Sequence, residues 1–204
     1  VNIGGEKISK SLGNTIDPFY LARVYGADAT RYYLLREIPV FEDGDFTIEK
    51  FENRYKADLA NDLGNLLNRT LVMIRKYLPA EANLNQSLLN GSSLASLADE
   101  VVKEYHSFMQ QYQLNQALIC CWRLIKKANA YIEETAPWKL SKMNEKEKLY
   151  SVLADLWEAL RYIAVLLYPF MPQKAQEIWE QLGLQEIMPI EKAHLDSWGQ
   201  LPAK

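Results

Sequence analysis

The sequence predicts a mainly α fold, an antiparallel helix bundle carrying a small N-terminal α/β appendage. Two observations predict it. After residue 46, apolar residues recur at spacings of three and four through long segments joined by short breaks, the pattern of packed antiparallel helices. Before residue 46, glycine, proline and acidic turn residues cut the chain into pieces too short for a bundle. The expected organisation is an appendage over 1–46 and a helical domain over 47–204.

In the appendage, Asp17-Pro18 starts a short helix, with an N-cap acceptor before a proline at the first helical position. Gly26 ends it, and Asp28 is placed to cap a second short helix through about Arg36. Ile38 to Phe46 contains Pro39 and the turn run Glu42-Asp43-Gly44-Asp45, with room for a short strand. The bundle opens with one long helix from about Thr47 to Tyr77, striped by Leu59, Leu63, Leu66, Leu67, Leu71 and Ile74. Opposite that stripe the spacing places Asp58, Asp62, Asn65 and Arg69. Pro79 and the Asn/Ser-rich residues 81–93 form a linker. A second helix carries Leu94, Ala98, Val101, Tyr105 and Met109. A third runs from Leu114 to Ile132, and Pro137 stops it. The fourth covers 149–167 and ends before Pro169; a fifth spans about Gln173 to Leu182, with Gly183 at its end. The tail, 185–204, has Pro189, Trp198 and Pro202 and is expected to pack irregularly.

Composition excludes several classes. The 204 residues are 49% hydrophobic and 24% charged, with a net charge of −3, which are globular values. The densest apolar run, Tyr162 to Phe170, is too short to span a bilayer. There is no secretory signature and no initiator Met, so the chain reads as a piece of a longer protein. Cys120 and Cys121 are adjacent on a helix, where neighbours point apart, and fit buried thiols in a reducing cytoplasm. His106 and His194 are far apart, and no metal-ligand spacing occurs. The net charge argues against indiscriminate nucleic-acid binding, yet charge is uneven. Residues 1–36 hold five Lys/Arg against three Asp/Glu, and 121–148 hold seven against four. Local positive charge of this kind suits phosphates.

The appendage opens with Val1-Asn2-Ile3-Gly4-Gly5, then Lys7-Ile8-Ser9-Lys10-Ser11 and Gly13-Asn14. Two ammonium groups three residues apart, with hydroxyls beside them, suit a polyphosphate, and flanking glycines let the loop bend. This run resembles the Lys-Met-Ser-Lys-Ser signature of class I aminoacyl-tRNA synthetases, with Ile8 at the Met position. Three further blocks follow in order: Tyr25-Gly26-Ala27-Asp28-Ala29-Thr30-Arg31-Tyr32-Tyr33, then Asn61-Asp62-Leu63-Gly64-Asn65-Leu66-Leu67-Asn68-Arg69, then Glu134-Thr135-Ala136-Pro137-Trp138. Together, over about residues 1 to 183, they resemble the C-terminal part of methionyl-tRNA synthetases. The first block alone also fits leucyl, isoleucyl, valyl or cysteinyl enzymes.

The resemblance implies an anticodon-binding helical domain behind a stem-contact appendage. The parent would activate methionine with ATP and Mg2+ and charge tRNA(Met) in the cytoplasm. The chain alone would be inactive, because the amino-acid and adenine pockets of such enzymes lie upstream. Lys10, supported by Lys7, would stabilise charge on the leaving phosphates. Ile8, Ser9 and Ser11 would complete the phosphate-binding loop. Asn65 and Arg69, at i and i+4, would read an anticodon base on which Trp138 stacks. From the residues alone other readings stand. Polar residues opposite a Leu stripe also describe a solvated face, and Arg69 has Asp62 or another acid within reach. Trp122, Trp157 and Trp179 sit inside helical patterns and fit the core, whereas Trp138 sits at a break between helices. Arg23, Arg31 and Arg36 fit a tRNA backbone contact or ordinary surface charge. A helical interaction module without RNA binding would account for the bundle but not for the Lys-Ser loop.

Overall fold

The computed structural model describes residues 2–8, 15–79, 92–184, 195, 198 and 199. Strands β1 (Asn2–Ile3) and β2 (Glu6–Lys7) form an antiparallel hairpin, and β3 (Asp45–Phe46) adds parallel to β1, giving the order β2-β1-β3. The hairpin turns at Gly4 and Gly5, whose φ of 59° and 85° lie in the region that favours glycine.

Helix α1 (Pro18–Tyr25) starts as expected: the Asp17 carboxylate accepts from the Phe19 N–H at 2.9 Å. Gly26, at φ 89°, turns the chain directly into α2 (Ala27–Glu37), which has no side-chain cap. Asp28 therefore does not cap α2. Its carboxylate accepts the Lys174 backbone N–H at 2.8 Å, in the first turn of α9 (Pro172–Gln181). That helix has no cap of its own, and an orphan N–H at a helix start needs an acceptor. Three residues on, Arg31 donates through Nε to the Phe170 carbonyl at 3.0 Å and through Nη2 to that of Pro169 at 2.9 Å. A cation on carbonyls just past a helix C-terminus is favoured by the helix dipole. Arg31 thus holds the appendage to the bundle.

The expected long helix is three joined segments. After the Thr47 cap come α3 (Ile48–Arg54), a π-helix (Tyr55–Gly64) and α4 (Asn65–Tyr77). The π turn changes the register. Asp58, placed by regular spacing on the solvent side, is buried. It accepts the Tyr32 hydroxyl at 2.5 Å and Arg54 Nη1 at 3.3 Å, the pairing that a buried carboxylate requires.

Ser92 caps α5 (Ser93–Gln110), its hydroxyl accepting from Ala95 N–H at 3.4 Å. Then follow α6 (Leu114–Thr135), a short α7 (Pro137–Lys142) and α8 (Lys146–Leu167). Helix α8 is buried on nearly every side and packs against α4, α5, α6, α7 and α9, so it is the axis of the bundle. It also carries a buried ion pair: Arg161 Nη2 lies 2.7 Å from Glu158 Oε1, with the two side chains 2% and 0% exposed. Tail residues close over it, Gly199 N–H donating to Glu158 Oε1 at 2.9 Å and Trp198 Nε1 to Asp155 Oδ1 at 3.2 Å. The rest of the expected linker and tail lies outside the described residues, apart from Leu195 and the linker's end at Ser92 and Ser93.

Two cores result. The smaller joins Leu21, Ala29, Tyr33, Phe46 and Phe51 of the appendage and α3. The larger fills the bundle and includes Trp122 and Trp179, with Trp157 packed at its edge, as expected of the three helical tryptophans. Helix α2 contributes to both, since Tyr32 stacks 4.6 Å from Trp122. No helix among the described residues is long and apolar enough to cross a membrane.

Candidate nucleic-acid interface

The residues expected to form a phosphate loop begin at the end of the hairpin. Lys7 and Ile8 are exposed; Ser9, Lys10 and Ser11 lie outside the described residues. What holds the hairpin is visible. Asp45 Oδ1 accepts the Gly5 N–H at 2.9 Å, and Asp45 Oδ2 takes the Lys50 ammonium at 2.8 Å. The Lys50 hydrogen bond, helped by that of Gly5, lowers the Asp45 carboxyl below its ordinary pKa. The hairpin is thereby fixed to the start of α3.

The second group lies on the bundle. Asn65 opens α4 and is exposed, and Arg69 follows one turn later, half-buried. Arg69 does not pair with Asp62. Its Nη2 reaches Glu133 Oε1 at 2.5 Å, in the last turns of α6. Asp62 is instead in a partly buried position, and burial raises its pKa against the pull of Lys126. Its backbone carbonyl accepts from Asn129 Nδ2 at 3.0 Å, which fastens the π-helix to α6.

Helix α6 ends at Ala136, in the left-handed conformation with φ 44°. The break expected before Trp138 is present, but Trp138 itself is not in a non-helical corner. It is the second residue of α7, half-buried, with part of its ring against the main core. Proline at N1 nucleates this short helix. Lys139 and Lys142 follow on its last turn. Among the described residues no hydrogen bond joins Trp138 to Asn65 or Arg69; Glu133, the partner of Arg69, lies in the last turn of α6, ahead of the break that precedes Trp138.

Around Asn65 lies an open depression of about 540 Å³ lined by Ala60, Asn61, Gly64, Asn65 and Asn68. A side chain at Gly64 would be crowded, since its Cβ would meet the Leu59 carbonyl oxygen at 3.1 Å. Asn61, Asn68 and Glu133 were not singled out from the sequence. The two asparagines were legible as i−4 and i+3 neighbours of Asn65; Glu133 was not, because only the fold brings it to Arg69. An amide with a guanidinium offers several donors and an acceptor beside an open depression, the requirements for reading a base edge. Among the described residues no group of three His, Cys, Asp or Glu is arranged to hold a metal ion.

With this geometry in place, comparison with known proteins is specific. The family described as class I (M) tRNA synthetases matches residues 1–71, and the anticodon-binding domain of tRNA ligases matches residues 93–204. A methionine–tRNA ligase of Listeria monocytogenes serotype 4b (strain F2365) is 48% identical over 200 residues, covering 97% of this chain and 30% of that relative. That of Bacillus subtilis (strain 168) is 47% identical over 183 residues, 88% of this chain and 28% of the relative. The Mycobacterium tuberculosis methionyl-tRNA synthetase in complex with methionyl-adenylate superposes with a TM-score of 0.79 at 32% identity, over 99% of this chain and 42% of that one. The chain thus spans less than a third of the length of these two curated relatives.

Proposed function

Because this chain belongs to the class I tRNA synthetases of methionyl type and carries the anticodon-binding domain of tRNA ligases, we propose that it is the tRNA-reading part of a methionine–tRNA ligase. Its own task is to bind the anticodon of tRNA(Met) in the cytoplasm and to present the phosphate loop to ATP in the whole enzyme. The similarity to methionine–tRNA ligases favours this over a leucyl, isoleucyl, valyl or cysteinyl enzyme, and over an interaction module without RNA.

One observation carries the reading: Asn65 and Arg69 share a face beside an open depression, and Arg69 is tied to the helix end that leads into Trp138. Asn65 and Arg69 contact one splayed base by its edge, and the free part of the Trp138 ring stacks on it, the usual arrangement for single-stranded RNA. Lys139 and Lys142 supply local positive charge for the flanking phosphates.

At the other end, Lys7 and Lys10 neutralise charge on the ATP phosphates as pyrophosphate leaves, with Ile8, Ser9 and Ser11 shaping the loop. A cation that gains contact only as charge builds raises the rate rather than merely tightening ATP binding. Among the described residues no group of three His, Cys, Asp or Glu is arranged to hold the magnesium that accompanies ATP.

The test is binding of the chain to methionine tRNA and to the same tRNA with its anticodon changed, at two salt concentrations. Preference for the native anticodon, lost in Trp138→Ala, is the expected result. Binding that ignores the anticodon would overturn the reading.

A further inference from the structure

The exposed face of α4 does not stop at Arg69. Asn65, Asn68, Val72 and Arg75 are all exposed, at steps of three, four and three residues, and so form one row along the helix. Leu66, Thr70 and Met73 on the other side are buried, so the row is the true outer face of the helix. The depression lined by Asn65 and Asn68 lies at its head. Ten residues of helix give the row a length of about 15 Å, enough for more than one nucleotide.

The chemistry along the row is ordered. Asn68 offers an amide with two donors and an acceptor, enough to pair with a base edge. Val72, half exposed at 50%, offers an apolar surface of the kind a ribose or base face covers. Arg75, in the last turn, makes no ion pair among the described residues, and its planar fork suits a phosphate. No acidic side chain lies in the row. Amide, amide, apolar contact and cation in sequence fit a nucleic-acid strand better than a protein partner, which would be expected to meet a larger apolar patch.

We infer that the RNA-contact face extends along α4 beyond Asn65, with Asn68 taking the edge of a base next to the one held at Asn65, Arg69 and Trp138, and Arg75 contacting a backbone phosphate further along the strand. This rests on the anticodon reading above. Asn68 then determines specificity at a second loop position, whereas Arg75 adds affinity without sequence preference.

The experiment uses the whole chain and synthetic RNA stem-loops with the methionine anticodon, their loop bases varied one at a time, over a series of salt concentrations. Circular dichroism confirms that each variant folds; both side chains are exposed, so folding should be unaffected. Asn68→Ala should lose about tenfold in affinity for the native loop, the scale of one base-edge contact. Its discrimination should flatten at one loop position that Asn65→Ala leaves intact. Arg75→Gln should weaken binding to every loop by the same factor and reduce the slope of log affinity against log salt by about 0.7, the value for one phosphate on a single strand. If either variant behaves as wild type while Trp138→Ala abolishes anticodon preference, the extension is wrong and the face ends at Arg69. If the wild-type chain itself ignores the loop sequence, the underlying reading fails and the extension with it.

Discussion

Arg69 Nη2 lies 2.5 Å from Glu133 Oε1, and this contact ties α4 to the end of α6 just ahead of the Trp138 turn. The side chains are 29% and 60% exposed, so the pair is a solvated one. Such pairs contribute about 0–1 kcal/mol to stability. The RNA contact proposed for Arg69 is therefore separable from folding. Arg69→Ala should leave the urea midpoint almost unchanged and weaken tRNA binding by a much larger factor. A variant that loses stability and binding in equal measure would show that Arg69 is structural.

On the proposed reading Trp138 has two purposes, a core contact and an RNA stack, since only part of its ring is against the core. Trp138→Ala should weaken anticodon-arm binding by about 1–3 kcal/mol, the value of one stacked base. It should also lower thermal stability, since the buried part is lost. Trp138→Phe separates the effects by keeping an aromatic face of smaller area. Its RNA affinity should lie between wild type and Trp138→Ala; equal affinities for Phe and Ala would argue against stacking.

The appendage and bundle are joined through α2. Asp28 supplies the missing acceptor at the start of α9, and Arg31 takes two carbonyls at the end of α8. Asp28→Ala removes the acceptor of the Lys174 N–H, a part-buried bond that acts as a helix cap, a loss of about 0.5–2 kcal/mol. Asp28→Asn keeps an accepting oxygen and should retain most of that. Denaturation by urea checks both; an Asn variant as unstable as the Ala variant would mean that charge, not the hydrogen bond, matters at this position.

The helical periods of α5, α6, α8 and α9 were legible because each has a continuous apolar stripe or face to bury. The Asp17 cap and the Gly26 turn were legible for the same local reason: they need only adjacent residues. The π-helix was not, since nothing in the spacing of Leu59, Leu63 and Leu66 announces a change from i+4 to i+5 bonding, and Asp58 was misplaced with it. Asp28 read as a cap for its own helix but serves one that begins 144 positions later, at Pro172. At the candidate interface, Asn65 and Arg69 were legible through resemblance and spacing. The pairing of Arg69 with Glu133 was not, because it depends on how α4 crosses α6.

Inside α8, Glu158 and Arg161 depend on each other. Each is nearly or fully buried, so removing one leaves an uncompensated charge. Arg161→Met alone should destabilise by about 3–5 kcal/mol, whereas replacing both by apolar residues of similar volume should recover a large part of the loss. The Gly199 N–H, which donates to Glu158, keeps the recovery incomplete. Urea denaturation of the two single variants and the double variant forms the cycle; simple additivity would contradict the coupling.

The tyrosines set the response to alkali. Tyr25 is pushed up to about 12 from the ordinary value of 10.0, chiefly by its hydrogen bond to the Glu52 carboxylate. Tyr33 is also pushed up to about 12, chiefly by burial. Burial raises Tyr32, Tyr105 and Tyr131 as well, with carboxylate partners adding to the shift at Tyr32 and Tyr131. The sign follows from linkage. The unfolded chain releases these protons near pH 10, while the folded chain holds them to higher pH, so the unfolded state binds fewer protons above pH 10. The stability these groups contribute is complete below about pH 10 and is lost as pH rises from there through about 12. Urea midpoints measured between those pH values should fall steadily, while phenolate absorbance in the native protein lags behind that of the urea-unfolded chain. Tyr32→Phe removes one such group along with its bond to Asp58. It should lower stability at neutral pH, where Asp58 loses a donor, yet soften the decline above pH 10. A decline as steep as that of wild type would mean that Tyr32 ionises no later in the fold than outside it.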